Sequence, residues 1–129
     1  MIAIDTNILV RYFVGDDPKQ FALAKRFIEE ELSRENAGFV SLVALAELSW
    51  VLVRLYDQTH EVVLGILRKL LDSAQIVVEE ARSVEAAMQL PHDEMGDALI
   101  HEVGRAKGCD FTITFDKKLA RLDGIRRLA

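Results

Sequence analysis

Short apolar runs alternate along this chain with longer segments in which apolar residues recur every three or four positions. The runs at 2–4, 39–41, 75–78, 111–115 and 125–128 have the length and the flanking residues of strands. Strands that alternate with helices are joined by crossover connections and pair in parallel. The alternation therefore predicts an α/β sandwich, and the length of 129 residues suits a single domain, residues 1–129.

Helix signals fill the intervals between the predicted strands. Asp17 and Pro18, with Gln20 at the third helical position, form a strong helix start. Ser41 is predicted to cap a helix that runs to about Tyr56 and is apolar nearly all round, so we expect that helix to be largely buried. Three further helices are predicted, at 59–72, 83–90 and 94–107.

Composition favours a globular protein, because half of the residues are apolar and 29% are charged. A single cysteine, Cys109, excludes an intramolecular disulfide framework and fits a reducing compartment. The first residues lack the basic and long apolar regions of a signal peptide, and Glu47 and Arg54 interrupt the longest apolar stretch. We therefore expect a soluble, cytoplasmic protein.

The net charge of −5 argues against a nucleic-acid binder if it is taken alone, because contacts to phosphate depend on lysine and arginine. The charges are unevenly distributed, however. Acidic residues gather at 29–31 and 79–80, while five cations lie in the last thirteen residues: Lys117, Lys118, Arg121, Arg126 and Arg127. Both clusters are also compatible with an ordinary solvated surface.

Four acidic residues stand where a ligand site is expected. Asp5 and Asp116 end the first and fourth predicted strands, Asp97 lies in the first turn of a helix, and Glu47 lies inside the most apolar helix. Ligands of parallel α/β sheets bind beyond the carboxyl ends of the strands. We expect all four side chains at that edge.

Each acid also has a purely structural interpretation. Asp5 and Asp116 would serve as helix-capping or loop-starting residues, and Asp97 would complement the helix dipole. A carboxylate on an apolar helix is costly unless it is paired, so Glu47 would need Arg11, Arg54 or a metal ion.

Clustered carboxylates remain ionised together only if a cation neutralises them, and oxygen-only ligation favours Mg²⁺ or Mn²⁺ over zinc. The scattered His60, His92 and His101 form no zinc pattern with Cys109. A metal on acids at the mouth of an α/β sheet commonly binds phosphate and activates water.

Four segments together resemble the PIN domain family, and specifically the VapC-type toxins of toxin–antitoxin pairs. They are "IDTNILVRYF" at 4–13, "SLVALAELSWVL" at 41–52, "EMGDALI" at 94–100 and "TITFDKKLARLDGI" at 112–125. The resemblance covers essentially the full length. It implies a three-layer α/β/α sandwich around a central, mainly parallel sheet of four to five strands.

The resemblance also implies an activity and partners. A VapC-like protein is a Mg²⁺-dependent endoribonuclease, for which Mn²⁺ can substitute, and it leaves 5′-phosphate and 3′-hydroxyl ends. It forms a homodimer and is neutralised by a VapB-like antitoxin that lays an apolar helix in a groove.

Residue roles follow from the same resemblance. Asp5, Glu47, Asp97 and Asp116 match the metal-binding acids. Supporting positions are Thr6, Asn7, Ser41, Glu94 and Thr114. Glu94 takes the place of an aspartate often found three residues before the third acid, and local hydrogen bonding is an alternative role for the three hydroxyl residues. The predicted RNA-binding residues at the rim are Arg11, Lys117 and Lys118.

Two other interpretations stay open from the sequence. A PIN-fold protein can be a catalytically inactive binding module. Haloacid-dehalogenase-like phosphatases also begin with an acid after the first strand, but their D-x-D motif has a second acid where this chain has Asn7.

Overall fold

The computed structural model describes all residues from 1 to 129 and confirms the α/β class, with six α-helices and five strands that pair only in parallel. Residue contacts divide the chain into two compact units, Met1–Glu79 and Glu80–Ala129. Each unit carries its own hydrogen-bonded sheet, of three and two strands. None of the helices combines the length and the apolarity needed to cross a membrane.

The sheet of the first unit has the strand order β1-β2-β3. Its strands are β1 Ile2–Ala3, β2 Gly38–Val40 and β3 Ile76–Val78. Two or more helices separate each strand from the next, as the parallel pairing requires. Gly38, Val40, Ile76 and Val78 are buried, whereas Val77 between the last two is exposed. One face of this sheet therefore carries most of its buried residues.

Four helices belong to the first unit. They are α1 Thr6–Val14, α2 Pro18–Arg26, α3 Leu42–Arg54 and α4 His60–Asp72, and a π-helical turn, Phe27–Glu31, extends α2. Asp17 accepts a hydrogen bond from the Gln20 N–H at 3.0 Å, and Ser41 accepts one from the Ala44 N–H at 3.1 Å. Both predicted helix starts are confirmed.

The expectation that α3 is largely buried is wrong. The helix buries one face, which includes Leu45, Leu48 and Leu52, while Val43 and Trp50 on another face are exposed. The sequence pattern fails here because apolar residues fit a core and an interaction surface equally well.

The second unit contains α5 Ala81–Gln89, α6 Met95–Ala106, β4 Thr112–Thr114 and β5 Ile125–Arg127, with a 3₁₀ turn at Leu119–Arg121. Helix α5 packs on α6. Gly108 follows α6 with a φ of +90°, the left-handed conformation that favours glycine after a helix. Ile113 pairs with Arg126 in the β4–β5 register.

Candidate active site

Asp5 lies between β1 and α1 and is the N-cap residue of α1. Its Oδ1 accepts a hydrogen bond from the Thr6 N–H at 2.9 Å, and its side chain is exposed. The buried Thr6 hydroxyl donates to Oε1 of Glu47 at 3.2 Å. Thr6 thus joins the start of α1, where Asp5 lies, to the Glu47 carboxylate on α3.

Glu47 is exposed rather than buried, which removes the burial cost predicted for it. Neither arginine considered as its partner pairs with it. Arg11 instead contacts Asp16 at 2.9 Å and the Tyr56 hydroxyl at 3.3 Å. The Thr6 hydroxyl is the only hydrogen-bond partner of the Glu47 side chain and contacts Oε1. The other carboxylate oxygen, Oε2, is therefore available to a cation.

Asp97 lies in the first turn of α6, as predicted, and is held by a histidine. Its Oδ2 is 3.0 Å from Nε2 of His92, whose side chain is only 3% exposed. The contact leaves Oδ1 of Asp97 for other ligands. His92 belongs to no zinc pattern in the sequence, and its place just before α6 in "PHDEMGD" is the signal that points to this role.

Asp116 follows β4 and is fixed by the main chain. Its Oδ1 accepts a hydrogen bond from the Leu119 N–H at 3.0 Å, and its own N–H donates to the Thr114 hydroxyl. The Leu119 N–H holds the pKa of Asp116 below its ordinary value, with smaller contributions from the Lys118 N–H and from the charges of His92 and Lys118. The Leu119 N–H is therefore the main group that favours the ionised form of Asp116.

The three predicted RNA-binding residues differ in their contacts. Lys118 forms an ion pair with Asp93 at 2.8 Å, which lowers the pKa of Asp93 and raises that of Lys118. Arg11 is engaged with Asp16 in the same way. Lys117 is exposed and forms no ion pair, so it is the only one of the three predicted RNA-binding residues whose charge has no acidic partner.

The supporting positions have mostly local roles in this structure. The Ser41 hydroxyl caps α3, and the Thr114 hydroxyl accepts a hydrogen bond from the Asp116 N–H. Both hydroxyls therefore have the local hydrogen-bonding role that was the alternative to a role in the site. Asn7 is exposed and lines a groove between α1 and α2. Glu94 is the N-cap residue of α6 without a capping side-chain bond, and it is exposed.

The four acids are divided equally, Asp5 and Glu47 in the first unit and Asp97 and Asp116 in the second. Within each unit, no group of three or more acidic, histidine or cysteine side chains is arranged to hold a metal ion. The donor chemistry nevertheless fits a hard cation. Asp5 and Glu47 have no lysine or arginine partner, and Mg²⁺ commonly takes only one or two carboxylates together with water and phosphate oxygens.

Comparison with known proteins gives one family. The model of the PIN domain family matches residues 2–125, a stretch that includes all four acids. No curated protein matches the chain.

Proposed function

This chain belongs to the PIN domain family, and from that membership we propose that it is a Mg²⁺-dependent endoribonuclease of the VapC toxin type. PIN domains are generally metal-dependent nucleases. The observation that carries the proposal is a family match that extends over both units and all four acids. We accordingly propose that residues 1–129 act as one PIN domain in the cytoplasm.

In this proposal the cation is held by Asp5, Asp97 and Asp116, with Glu47 bound directly or through water. When bound, the cation supplies an activated water for in-line attack on an RNA phosphodiester and stabilises the charge that develops. Mn²⁺ would substitute for Mg²⁺, because both prefer oxygen ligands.

The chain's own groups fix the ligands in place. The Thr6 hydroxyl orients Glu47, His92 holds one oxygen of Asp97, and the Leu119 N–H holds Asp116. The Leu119 N–H lowers the pKa of Asp116 and so favours the ionised form of that carboxylate. Preorganised ligands of this kind lose less freedom when a cation binds.

A VapB-like antitoxin and a second copy of the chain are the proposed protein partners. The groove between α1 and α2 has a volume of 510 Å³ and is lined mainly by apolar residues, among them Ile8, Leu23 and Phe27. Such a groove suits an apolar helix of the antitoxin. The exposed apolar face of α3, with Val43 and Trp50, supports association between copies.

The experiment for the activity is cleavage of total cellular RNA by the purified protein, with and without Mg²⁺, followed by end mapping. We expect 5′-phosphate and 3′-hydroxyl ends, abolished by EDTA and by Asp5→Asn or Asp97→Asn. Asp57→Asn is the matched control, because Asp57 is an exposed acid outside the proposed set with a positive φ that asparagine tolerates. Full cleavage by the Asp97→Asn protein would refute the assignment.

A non-catalytic PIN-fold binding module is the second candidate, favoured by the lack of three grouped acids within either unit. Such a protein would bind RNA in the same assay and leave it intact at every Mg²⁺ and Mn²⁺ concentration. The phosphatase interpretation is not proposed, because the family matched is the PIN domain and Asn7 replaces the second acid.

A further inference from the structure

The two-stranded sheet of the second unit has one face turned inward. The Thr112 side chain on β4 is hydrogen-bonded to Nδ1 of the buried His101 on α6, at 2.7 Å. Ile125 on β5, which pairs with Thr112, is also buried. Side chains along a strand alternate between faces, so the neighbouring residues of β4 and β5 point to the other side.

That other side is open and rich in aromatic and aliphatic side chains. Phe111, Ile113 and Phe115 are 41%, 52% and 73% exposed, and Leu128 is exposed beside them. The Arg126 guanidinium lies over the Phe111 ring, 4.1 Å from its centre. We call these five residues, Phe111, Ile113, Phe115, Arg126 and Leu128, the aromatic face.

The charges around the aromatic face are complementary to a polyanion. Lys117 and Arg126 are exposed and form no ion pair with a carboxylate, whereas Arg127 follows Arg126 on β5 and so lies on the Ile125 side of the sheet. Of the nearby acids, Asp116 accepts a hydrogen bond from the Leu119 N–H, and Asp110 lines a pocket beside His101 that Phe111 also lines. Two cations without an ion pair, Lys117 and Arg126, therefore border the aromatic face in a chain of net charge −5.

We propose that the aromatic face binds single-stranded RNA by stacking bases on Phe115 and on the Phe111–Arg126 pair, while Lys117 contacts phosphate. Exposed aromatic side chains flanked by unpaired cations are the combination that single-stranded nucleic acid requires. An apolar protein surface would leave these cations without a partner. Phe115 directly precedes Asp116, one of the proposed metal-binding acids. This inference rests on the proposed function for the identity of the ligand as RNA.

The test is fluorescence anisotropy of the full-length protein with a labelled single-stranded RNA, in EDTA so that no strand is cleaved. Phe115→Ala is expected to weaken binding roughly five- to a hundred-fold, and Phe115→Tyr to retain most of the affinity. Phe115→Leu keeps an apolar side chain without a ring, so it should bind as weakly as the alanine variant. Ile100→Ala is the matched control, since Ile100 is also strongly exposed in the same unit, at 66% against 73% for Phe115, but lies on α6.

A second RNA with abasic sites separates stacking from phosphate contact. Its affinity should be low for the wild type and should not change further in Phe115→Ala, while Lys117→Gln should weaken both RNAs. Wild-type protein that fails to bind the intact RNA, or equal affinities of the wild type and Phe115→Leu, would overturn the proposal. Sedimentation of the same variants identifies the rival occupant: loss of dimers with unchanged RNA affinity would make the face an interface between copies.

The two proposals fail in different ways. Wild-type protein that binds RNA through Phe115 but cleaves none would refute the nuclease and leave the aromatic face standing. Wild-type protein that cleaves RNA while Phe115→Ala binds it normally would refute the aromatic face alone.

Discussion

At the scale of single residues, His92 is the clearest case of a side chain that acts on a proposed metal ligand. It is buried and contacts Oδ2 of Asp97 at 3.0 Å. Hydrogen-bond partners of this kind orient the carboxylates that bind a metal. Their removal typically lowers metal affinity or activity by about 10- to 100-fold.

We therefore expect His92→Leu to lower RNA cleavage at limiting Mg²⁺ by roughly 10- to 100-fold. His92→Gln keeps an N–H donor and should retain a larger share of both cleavage and metal affinity. Direct Mn²⁺ binding by calorimetry is the second measurement, and circular dichroism controls for folding. Equal Mn²⁺ affinities in the leucine, glutamine and wild-type proteins would contradict a positioning role.

Single residues also show what the sequence could and could not predict. The capping roles of Asp17 and Ser41 were predictable, because a helix start is a local pattern of a few residues. The exposure of Glu47 and the pairing of Arg11 with Asp16 were not, because they depend on which elements pack together. The role of His92 was not predictable from ligand spacing, because a residue that holds a metal ligand need not fit a metal-binding pattern.

At the scale of elements, Tyr12 links α1 to the π-helical turn that follows α2. Its hydroxyl donates to Oε2 of Glu29 at 2.7 Å. Burial, and then the bond to Glu29, raise the pKa of Tyr12 from 10.0 to about 12. The neutral form is therefore favoured by folding. Its contribution to stability is complete below pH 10.0 and is lost as the pH rises toward 12.

Absorbance titration tests this link, in a Tyr56→Phe background that leaves Tyr12 as the only tyrosine. Glu29→Gln should lower the pKa of Tyr12, because the charge of the hydrogen-bond acceptor is removed while the burial remains. Urea unfolding from pH 10.0 to about 12 should show less loss of stability in Tyr12→Phe than in Tyr56→Phe. A Tyr12 pKa that does not move in Glu29→Gln would contradict the assigned cause.

Two glycines test how closely the elements pack. A Cβ on Gly38 in β2 would lie 2.5 Å from Cδ1 of Ile4 and 2.8 Å from Cδ1 of Leu32, so Gly38→Ala forces buried side chains to shift. We expect it to destabilise the protein by about 1–3 kcal/mol. Gly65 in α4 has no neighbour within 4 Å, so Gly65→Ala should stabilise by up to about 1 kcal/mol. Urea denaturation measures both, and equal stabilities would argue against tight packing at Gly38.

Elements were predictable where their signals are local. Every predicted helix and strand is present with ends that differ by a few residues, because caps, glycines and apolar periodicity act over short distances. The exposed face of α3 was not predictable, since periodicity reports which residues are apolar and not what covers them. The exposed apolar face of β4 was not predictable for the same reason.

At the scale of the whole molecule, the sequence predicted the α/β class and the parallel pairing, both of which are confirmed. The division of strands between a three-stranded and a two-stranded sheet was not predictable, because it depends on hydrogen bonds between segments far apart in the chain. The four proposed metal ligands come equally from the two units. Metal binding in this proposal is therefore a property of the complete chain.

Thermodynamic linkage gives the prediction that belongs to the complete chain. A cation that binds the folded state alone stabilises it by about 1.4 kcal/mol at ten times its Kd, so Mg²⁺ should raise Tm by a few degrees. Substitution in either unit, Asp5→Asn or Asp97→Asn, should remove this shift, because each acid is assigned to one shared ion. Calorimetric melts with KCl at matched ionic strength correct for general screening, and Asp57→Asn should keep the wild-type shift. If Asp5→Asn loses the shift while Asp97→Asn retains it, the ion belongs to the first unit alone, and the four-acid assignment is wrong.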